Sequence, residues 1–402
     1  MTYSQQQHRV IDLSDRLAAR FAARADAHDR ENSVAHENWD DLHREGYLRL
    51  VIPREHGGDG ASVLDMAIAQ EHLGRGDAAT ALGAAMLINV LGRARDAGTW
   101  PEPIWAAVCR ELAEKGGGIN NCVTETELGS ISRGGTVATA AVRAPGGWRI
   151  TGHKIFVTAA SALRFLVTAV TLPPTEDAPK GWTASAIVRC DAEGLRIEQT
   201  WRDALSLRGA GNDDVWYDDV FVPDDWVVDR RPIGTPPATA ASAQNPWGLA
   251  VAAVYLGVGQ AACDAACDYA NARVPPSLGA PIATQAHIQQ AIGSMGITLG
   301  AARAVLHDAA RSWVEQPERR PGLGGALAAA KYLCTNAACS VTETALRVAG
   351  GFSLTRALPL ERQFRDARAG LFAPPQDDLA LGIVGRAALA GRATAPQQRA
   401  AE

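Results

Sequence analysis

The chain has 402 residues, 47% apolar and 21% charged, enough to bury a large core and too long for one simple domain, so two or three domains are expected. A formal net charge of -5 and a pI near 6.0, with no Lys/Arg run, give no reason to invoke nucleic acid or a membrane surface as a partner. The start, MTYSQQQHRVIDL, lacks the basic and apolar regions of a signal peptide, and no stretch holds about 18 uninterrupted apolar residues, so a cytoplasmic protein is expected.

From His8 to about Lys115 the pattern is helical. Val10, Leu13, Leu17, Phe21 and Ala25 recur every three or four residues and predict a helix over 9–26. A second helix near Ala35 to Glu45 leads into GYLRLVIPREHGGDGAS, where Pro53 and four glycines impose a loop. Helix resumes over Val63 to Leu73, Ala78 to Ala97 and Trp100 to Lys115.

After Gly116-Gly117-Gly118 the statistics turn to β. TVATAAVRA, FLVTAVTL, TASAIVRC, LRIEQTW and DVWYDDVFVP alternate between Pro- and Gly-bearing turns, which suggests a small β-barrel or sandwich over 119 to about 228. Within this region Asn121 to Thr126 and Trp148 to Thr158 are β-rich pieces. The first is followed by a Gly/Ser-rich segment, Glu127 to Gly135, that cannot continue as strand and could let a ligand approach bare backbone N–H groups.

Beyond a Pro/Ala/Thr linker, Gly234 to Gln244, long Ala-rich helices return at Pro246–Arg273, Ile282–Gln316, Gly322–Val348 and Pro375–Ala390, with a shorter one at Leu358–Asp366. They predict a four-helix bundle. The polar end, ATAPQQRAAE, reads as a disordered tail. The expected division is 1–118 helical, 119–233 β, 234–393 bundle and 394–402 tail. Seven cysteines form no CxxC pair and are read as reduced thiols, Cys263 and Cys267 being small core residues one turn apart; nine scattered histidines make no metal-binding motif.

CVTETELGS, with GWRITGHKIFVTAA after it in order and spacing, resembles the TEP-x-x-GS and G-x-x-x-x-G-x-K-x-x-(I/V)-T elements of the acyl-CoA dehydrogenase superfamily; Thr126 stands where the family usually has Pro. GYLRLVIPREHGGDGAS, with His56 at an aromatic position, and LSLRGAGNDDVWYDDVFVPDDWVV resemble two further family elements. The resemblance covers residues 9 to 393 and implies the same three-part fold. It also implies a flavin, FAD or FMN, between the β-domain and the bundle. By position it assigns Cys122, Val123, Thr124, Gly129, Ser130, Phe156, Thr158 and Gln376 to the flavin. Arg273, Gln285, Arg347, Gly350 and Gly351 match positions that reach a second subunit's flavin, implying a homotetramer or homodimer, although Gly350-Gly351 equally suits a helix C-cap.

The carboxylate that removes an α-proton in this family follows an R-D-A element. Counting from Arg365-Asp366-Ala367 places Pro374 there, and the alternative site at the start of the first bundle helix is Trp247. Neither side chain can act as a base. Ser130, Trp247 and Pro374 are the expected substrate neighbours. Three chemistries stay open: dehydrogenation of an acyl thioester, on CoA or a carrier protein, with a base recruited from Asp377 or Asp378; monooxygenation using reduced flavin; and non-redox elimination or desulfination. An electron-transfer flavoprotein would serve the first and a flavin reductase the second. Asp377 and Asp378 also suit a helix N-terminus, where acids complement the dipole.

Overall fold

The computed structural model describes residues 3–127, 136–235 and 244–393, with helices at both ends of the chain and one sheet between them. The tail at 394–402, read above as disordered, and Gly129 and Ser130 lie outside the described residues. Helix α1 spans Gln5–Glu31, longer than its apolar repeat, because Ser4 and Gln7 form a reciprocal cap at one end and Asn32 turns left-handed at the other. Helices α2 (His36–Arg44), α3 (Val63–Gly74), α4 (Ala78–Ala97) and α5 (Glu102–Lys115) follow. Asp77 starts α4 by accepting the N–H groups of Ala79 and Thr80, and Gly98 ends it at φ 60°.

Every residue of α3 except His72 is buried. The reason is visible at its glycine. The helix lies so close to α6 (Leu249–Ala272) that a Cβ on Gly74 would stand 2.5 Å from the carbonyl oxygen of Val254, and one on Gly257 2.2 Å from that of Glu71. The N-terminal and C-terminal helices therefore share one core. Helices α7 (Ala286–Glu315), α8 (Gly324–Ala349), α9 (Leu360–Ala369) and α10 (Asp377–Ala393) complete the C-terminal part.

The strands are β1 (Gly118–Cys122), β2 (Ala140–Ala144), β3 (Gly147–Val157), β4 (Leu163–Leu172), β5 (Trp182–Arg189), β6 (Leu195–Glu198), β7 (Asp213–Pro223) and β8 (Val227–Pro232). They form one sheet in the order β6-β7-β3-β2-β4-β5-β8, with β1 parallel to β4. The sheet rolls: Thr168 of β4 and Tyr217 of β7 are three places apart in strand order, yet their hydroxyls meet at 2.7 Å inside it. Arg189 at the end of β5 makes a bidentate pair with Glu111 of α5 at 2.7 and 2.9 Å, and this hydrogen-bonded pair holds the Glu111 carboxyl down at about 2. All seven cysteines are free thiols, and burial pushes Cys109, Cys190 and Cys263 up to about 12.

The C-terminal helix that begins at Pro246 and runs to Ala272 is long and apolar enough to cross a membrane, with a mean hydropathy of 1.5, but 78% of that stretch is buried inside the protein. It is the central helix of the C-terminal part.

Candidate functional site

The two β-rich pieces singled out in the sequence lie side by side. Ile155 N–H donates to the Thr124 carbonyl at 3.0 Å, and the Asn120 side chain donates to the Thr158 carbonyl at 3.2 Å. A buried ion pair locks them: Lys154 Nζ lies 2.6 Å from Glu125 Oε1, with the lysine wholly buried and the glutamate nearly so. Glu125 also accepts the N–H groups of Ala138 and Thr139 and the Thr139 hydroxyl. Burial works to raise this carboxyl, but the hydrogen bonds from Lys154 and Thr139 outweigh it and hold it below the carboxylate range; burial pulls the Lys154 ammonium down. These two motif residues thus hold the site rather than meet a ligand.

Beyond Lys154 the β3–β7 register slips, and in that bulge Phe156 takes a φ of 59°. A left-handed Phe costs about 1–2 kcal/mol, and it persists because pairing on either side fixes the backbone. The bulge points Phe156 outward, 58% exposed, with its ring edge-on to Trp201 at 5.9 Å and 86°. Thr158, two residues on, is buried, and Ala159 N–H donates to the Ala210 carbonyl at 2.8 Å. Val123 and Thr124 are half-buried. Cys122 turns its thiol into the core of the rolled sheet, leaving its backbone at the motif edge.

Trp201 and the Arg365-Asp366 pair are further contributors. Trp201 donates its indole N–H to the Leu207 carbonyl at 2.9 Å. Asp366 accepts Leu207 N–H at 2.7 Å and, through its carbonyl, the Ser206 hydroxyl at 3.3 Å. Arg365 grips both oxygens of Asp29 on α1 at 3.0 and 2.7 Å, the carboxylate of Glu361, and the Leu205 carbonyl. The R-D-A element, used above only to count residues, is therefore a clasp holding α9, α1 and the loop under Phe156 together. A local motif cannot reveal its partners, which are far apart in sequence.

The base positions look as follows. Pro374 is exposed and Trp247 is fully buried, 1% exposed. Asp377 is occupied: Lys331 Nζ lies 3.3 Å from Oδ1 and Asn336 donates to Oδ2 at 2.9 Å, with Lys331 itself buried. Asp378 is exposed in the same first turn of α10. The side-chain carbonyl of Gln376 is buried with no partner among the described residues.

A second group of predicted residues gathers at one end of the C-terminal helices. Arg273, the last residue after α6, lies with its guanidinium 5.1 Å over the ring of Phe352, immediately after Gly350 and Gly351. Its carbonyl accepts Ile282 N–H at 2.9 Å, closing the loop that carries Gln285 to the start of α7. Gly350 has φ 61° and open space where a Cβ would be, and Arg347 is exposed beside Glu343. Among the described residues no hydrogen bond, ion pair or ring contact joins this group to Phe156, whose ring meets Trp201. Two surface hollows, of about 180 and 350 Å³, lie elsewhere, around Gly117, Ala162 and Arg164. The exposed Phe156 ring, edge-on to Trp201, fits a planar aromatic group, while the positive-φ Gly350 with its open space belongs to the Arg273 group.

Residues 4–99 match the acyl-CoA dehydrogenase N-terminal domain and residues 242–389 the acyl-CoA dehydrogenase C-terminal domain. The chain is 30% identical over 368 residues to a 3-sulfinopropanoyl-CoA desulfinase of Paraburkholderia xenovorans, covering 90% of each chain. It superposes on KijD3 solved with FMN and an amino-keto-sugar nucleotide at a TM-score of 0.80 and 25% identity, covering 97% of this chain and 95% of that one. With 39% identity over 376 residues to the acyl-CoA dehydrogenase-like protein YdbM of Bacillus subtilis, covering 93% of this chain and 94% of that one, the chain belongs to the acyl-CoA dehydrogenase family.

Proposed function

We propose that the protein is a flavin-dependent oxidoreductase acting on an acyl thioester or related small substrate, without a carboxylate base at the family's usual positions. The observation that carries this is the outward, left-handed Phe156 beside Thr158, held by the Glu125–Lys154 lock. Val123, Thr124, Phe156 and Thr158 would hold the flavin, FAD or FMN. Arg273, Gln285, Arg347, Gly350 and Gly351 would serve the flavin of a neighbouring subunit. When bound, the flavin supplies hydride acceptance, or oxygen activation once reduced. The chain's own part is to orient the substrate against an apolar edge. Asp377 is committed to Lys331 and Asn336, so using it as a base would break both contacts.

Dehydrogenation of a saturated acyl-CoA is then slow, because loss of a general base costs roughly 10² to 10⁴ in rate. Anaerobic stopped-flow reduction with an acyl-CoA panel tests this, and Pro374→Glu should accelerate it; rapid reduction of the unaltered protein by a common acyl-CoA would overturn the reading. A second reading, monooxygenation fed by a flavin reductase, is favoured by the likeness to FMN-bound KijD3, whose ligand is not a thioester. Dependence of turnover on NAD(P)H and a reductase would select it. The likeness to a desulfinase supports a third, elimination without net redox change, for which neither signal would appear.

A further inference from the structure

Phe156 is exposed, and an exposed ring keeps its rotamer freedom unless a neighbour holds it. Among the described residues one other ring meets it, that of Trp201, edge-on at 5.9 Å and 86°. Trp201 is fixed at both ends. Its backbone N–H, like that of Thr200, donates to the buried Asp213 carboxylate at 3.1 Å, and its indole N–H donates to the Leu207 carbonyl at 2.9 Å. Leu207 is held in turn: its side chain is buried and its own N–H donates to Asp366 Oδ1 at 2.7 Å. Carboxylate, peptide, indole and phenyl ring thus form one line from α9 to Phe156.

The backbone is strained along the same line. Of the seven non-glycine residues with positive φ among those described, four lie on these two segments: Phe156 at 59°, Ala159 at 58°, Asp203 at 55° and Leu207 at 53°. A left-handed Leu is an outlier, and strain of this kind persists where surrounding bonds over-determine it and gathers at functional sites. The segments are laced together here, Ala159 N–H donating to the Ala210 carbonyl at 2.8 Å and Ala160 N–H to that of Gly211 at 3.2 Å.

We propose that Trp201 is a positioning residue of the flavin site: anchored on Asp213 and Leu207, its indole holds the Phe156 ring in the orientation that receives the flavin. This rests on the flavin reading above. A ring already held gives up little rotamer freedom when a flavin packs on it, so removing the indole loosens binding through Phe156 alone.

Fluorescence titration with FAD and with FMN of the unaltered protein, Trp201→Leu, Phe156→Ala and the double variant tests this. Trp201→Leu should weaken flavin binding about two- to tenfold, the worth of one edge-to-face pair, and shift the visible absorption of the bound flavin. In the Phe156→Ala background the same substitution should weaken binding no further, because the ring it positions is gone. An indole that merely stabilises its loop would weaken binding equally in both backgrounds, and that result overturns the proposal, as does parent-like affinity in Trp201→Leu. Should Trp201→Leu fail to fold, Trp201→Phe, which keeps a ring but loses the tether to Leu207, is measured in both backgrounds against the same two outcomes. An unaltered protein that binds neither FAD nor FMN overturns the flavin reading and this proposal with it, a result distinct from equal weakening in both backgrounds.

Discussion

Phe156 shows how much of a site can rest on one backbone angle. Its ring faces outward only because the β3 bulge holds it at φ 59°, and the bulge in turn is bounded by the Thr124–Ile155 hydrogen bond and the Val157–Asp213 pairing. If the ring packs on a flavin, Phe156→Ala loses an aromatic contact worth about 0.5–1.5 kcal/mol, loosening flavin binding up to about tenfold; Thr158→Ala should change the flavin's spectrum or potential. Fluorescence titration and spectroelectrochemistry check both, and unchanged occupancy, spectrum and potential in the pair of variants would place the flavin elsewhere. The lock beneath is a stability element of another kind. Lys154 and Glu125 are both out of water, so Lys154→Met strands a carboxylate whose remaining donors are Ala138 and Thr139. Breaking one side of such a buried pair costs about 3–5 kcal/mol, measurable by urea denaturation; a variant within about 1 kcal/mol of the parent would show that the remaining donors suffice.

At the scale of elements, helices and strands were legible where local chemistry decides them. Ala78–Ala97 reads off the sequence to the residue because Asp77 caps its start and Gly98 stops it. Strand β8 was not resolved as a strand of its own, since the 3-10 turn Asp224–Trp226 separates it from β7 by only three residues. The α9 clasp was illegible for a stronger reason: Arg365 and Asp29 are 336 residues apart, and no pattern within either segment names the other. Nor could spacing tell that Cys122 faces the core or that Trp247 is packed on Gly92, because orientation follows from the sheet's roll and the approach of α4 to α6. The clasp carries its own pH signature. Burial raises the Asp366 carboxyl to about 6, against the opposing pull of Arg362 and Leu207 N–H. In the unfolded chain it titrates near about 4. The folded state therefore holds a proton that the unfolded chain has lost, and this contribution to stability is complete below about pH 4 and lost as pH rises through about 6. Stability of Asp366→Asn relative to the parent should grow by roughly 2–3 kcal/mol between pH 4 and 7. Denaturation curves at each pH test it, and a difference that stays flat would show that Asp366 is ionised in the fold.

For the whole molecule, the predicted flavin residues fall in two groups, one around Phe156 and one around Arg273, with no hydrogen bond or ring contact between them among the described residues. The loop that carries Trp201 exposes Leu205 (65%), and the turn after α9 exposes Phe372 (75%); around Arg273 the surface exposes Phe352 (52%) and Leu354 (77%). Exposed apolar surface of this kind marks an interface, and the C-terminal helices carry more of it. On α7, Gly293, Gly296 and Gly300 have open space where side chains would be, beside an Ile297 that is 76% exposed, and on α10 Leu381 and Leu389 are exposed at 55% and 73%. A bare stripe of glycines lets another helix approach closely, and covering Ile297 alone contributes about 1.5–3 kcal/mol. The expected assembly is a homotetramer, or at least a dimer, in which Arg273 and Gly350 of one subunit complete the site at Phe156 of another. Ile297→Arg places a charge in that contact without touching either flavin group, so its effect on the flavin can come only through assembly. Light scattering should show the variant shifted to lower mass, and flavin retained after gel filtration should fall in step with the fraction dissociated. A monomer that keeps one flavin per chain would show that the Phe156 edge is complete by itself and that the Arg273 group has another task.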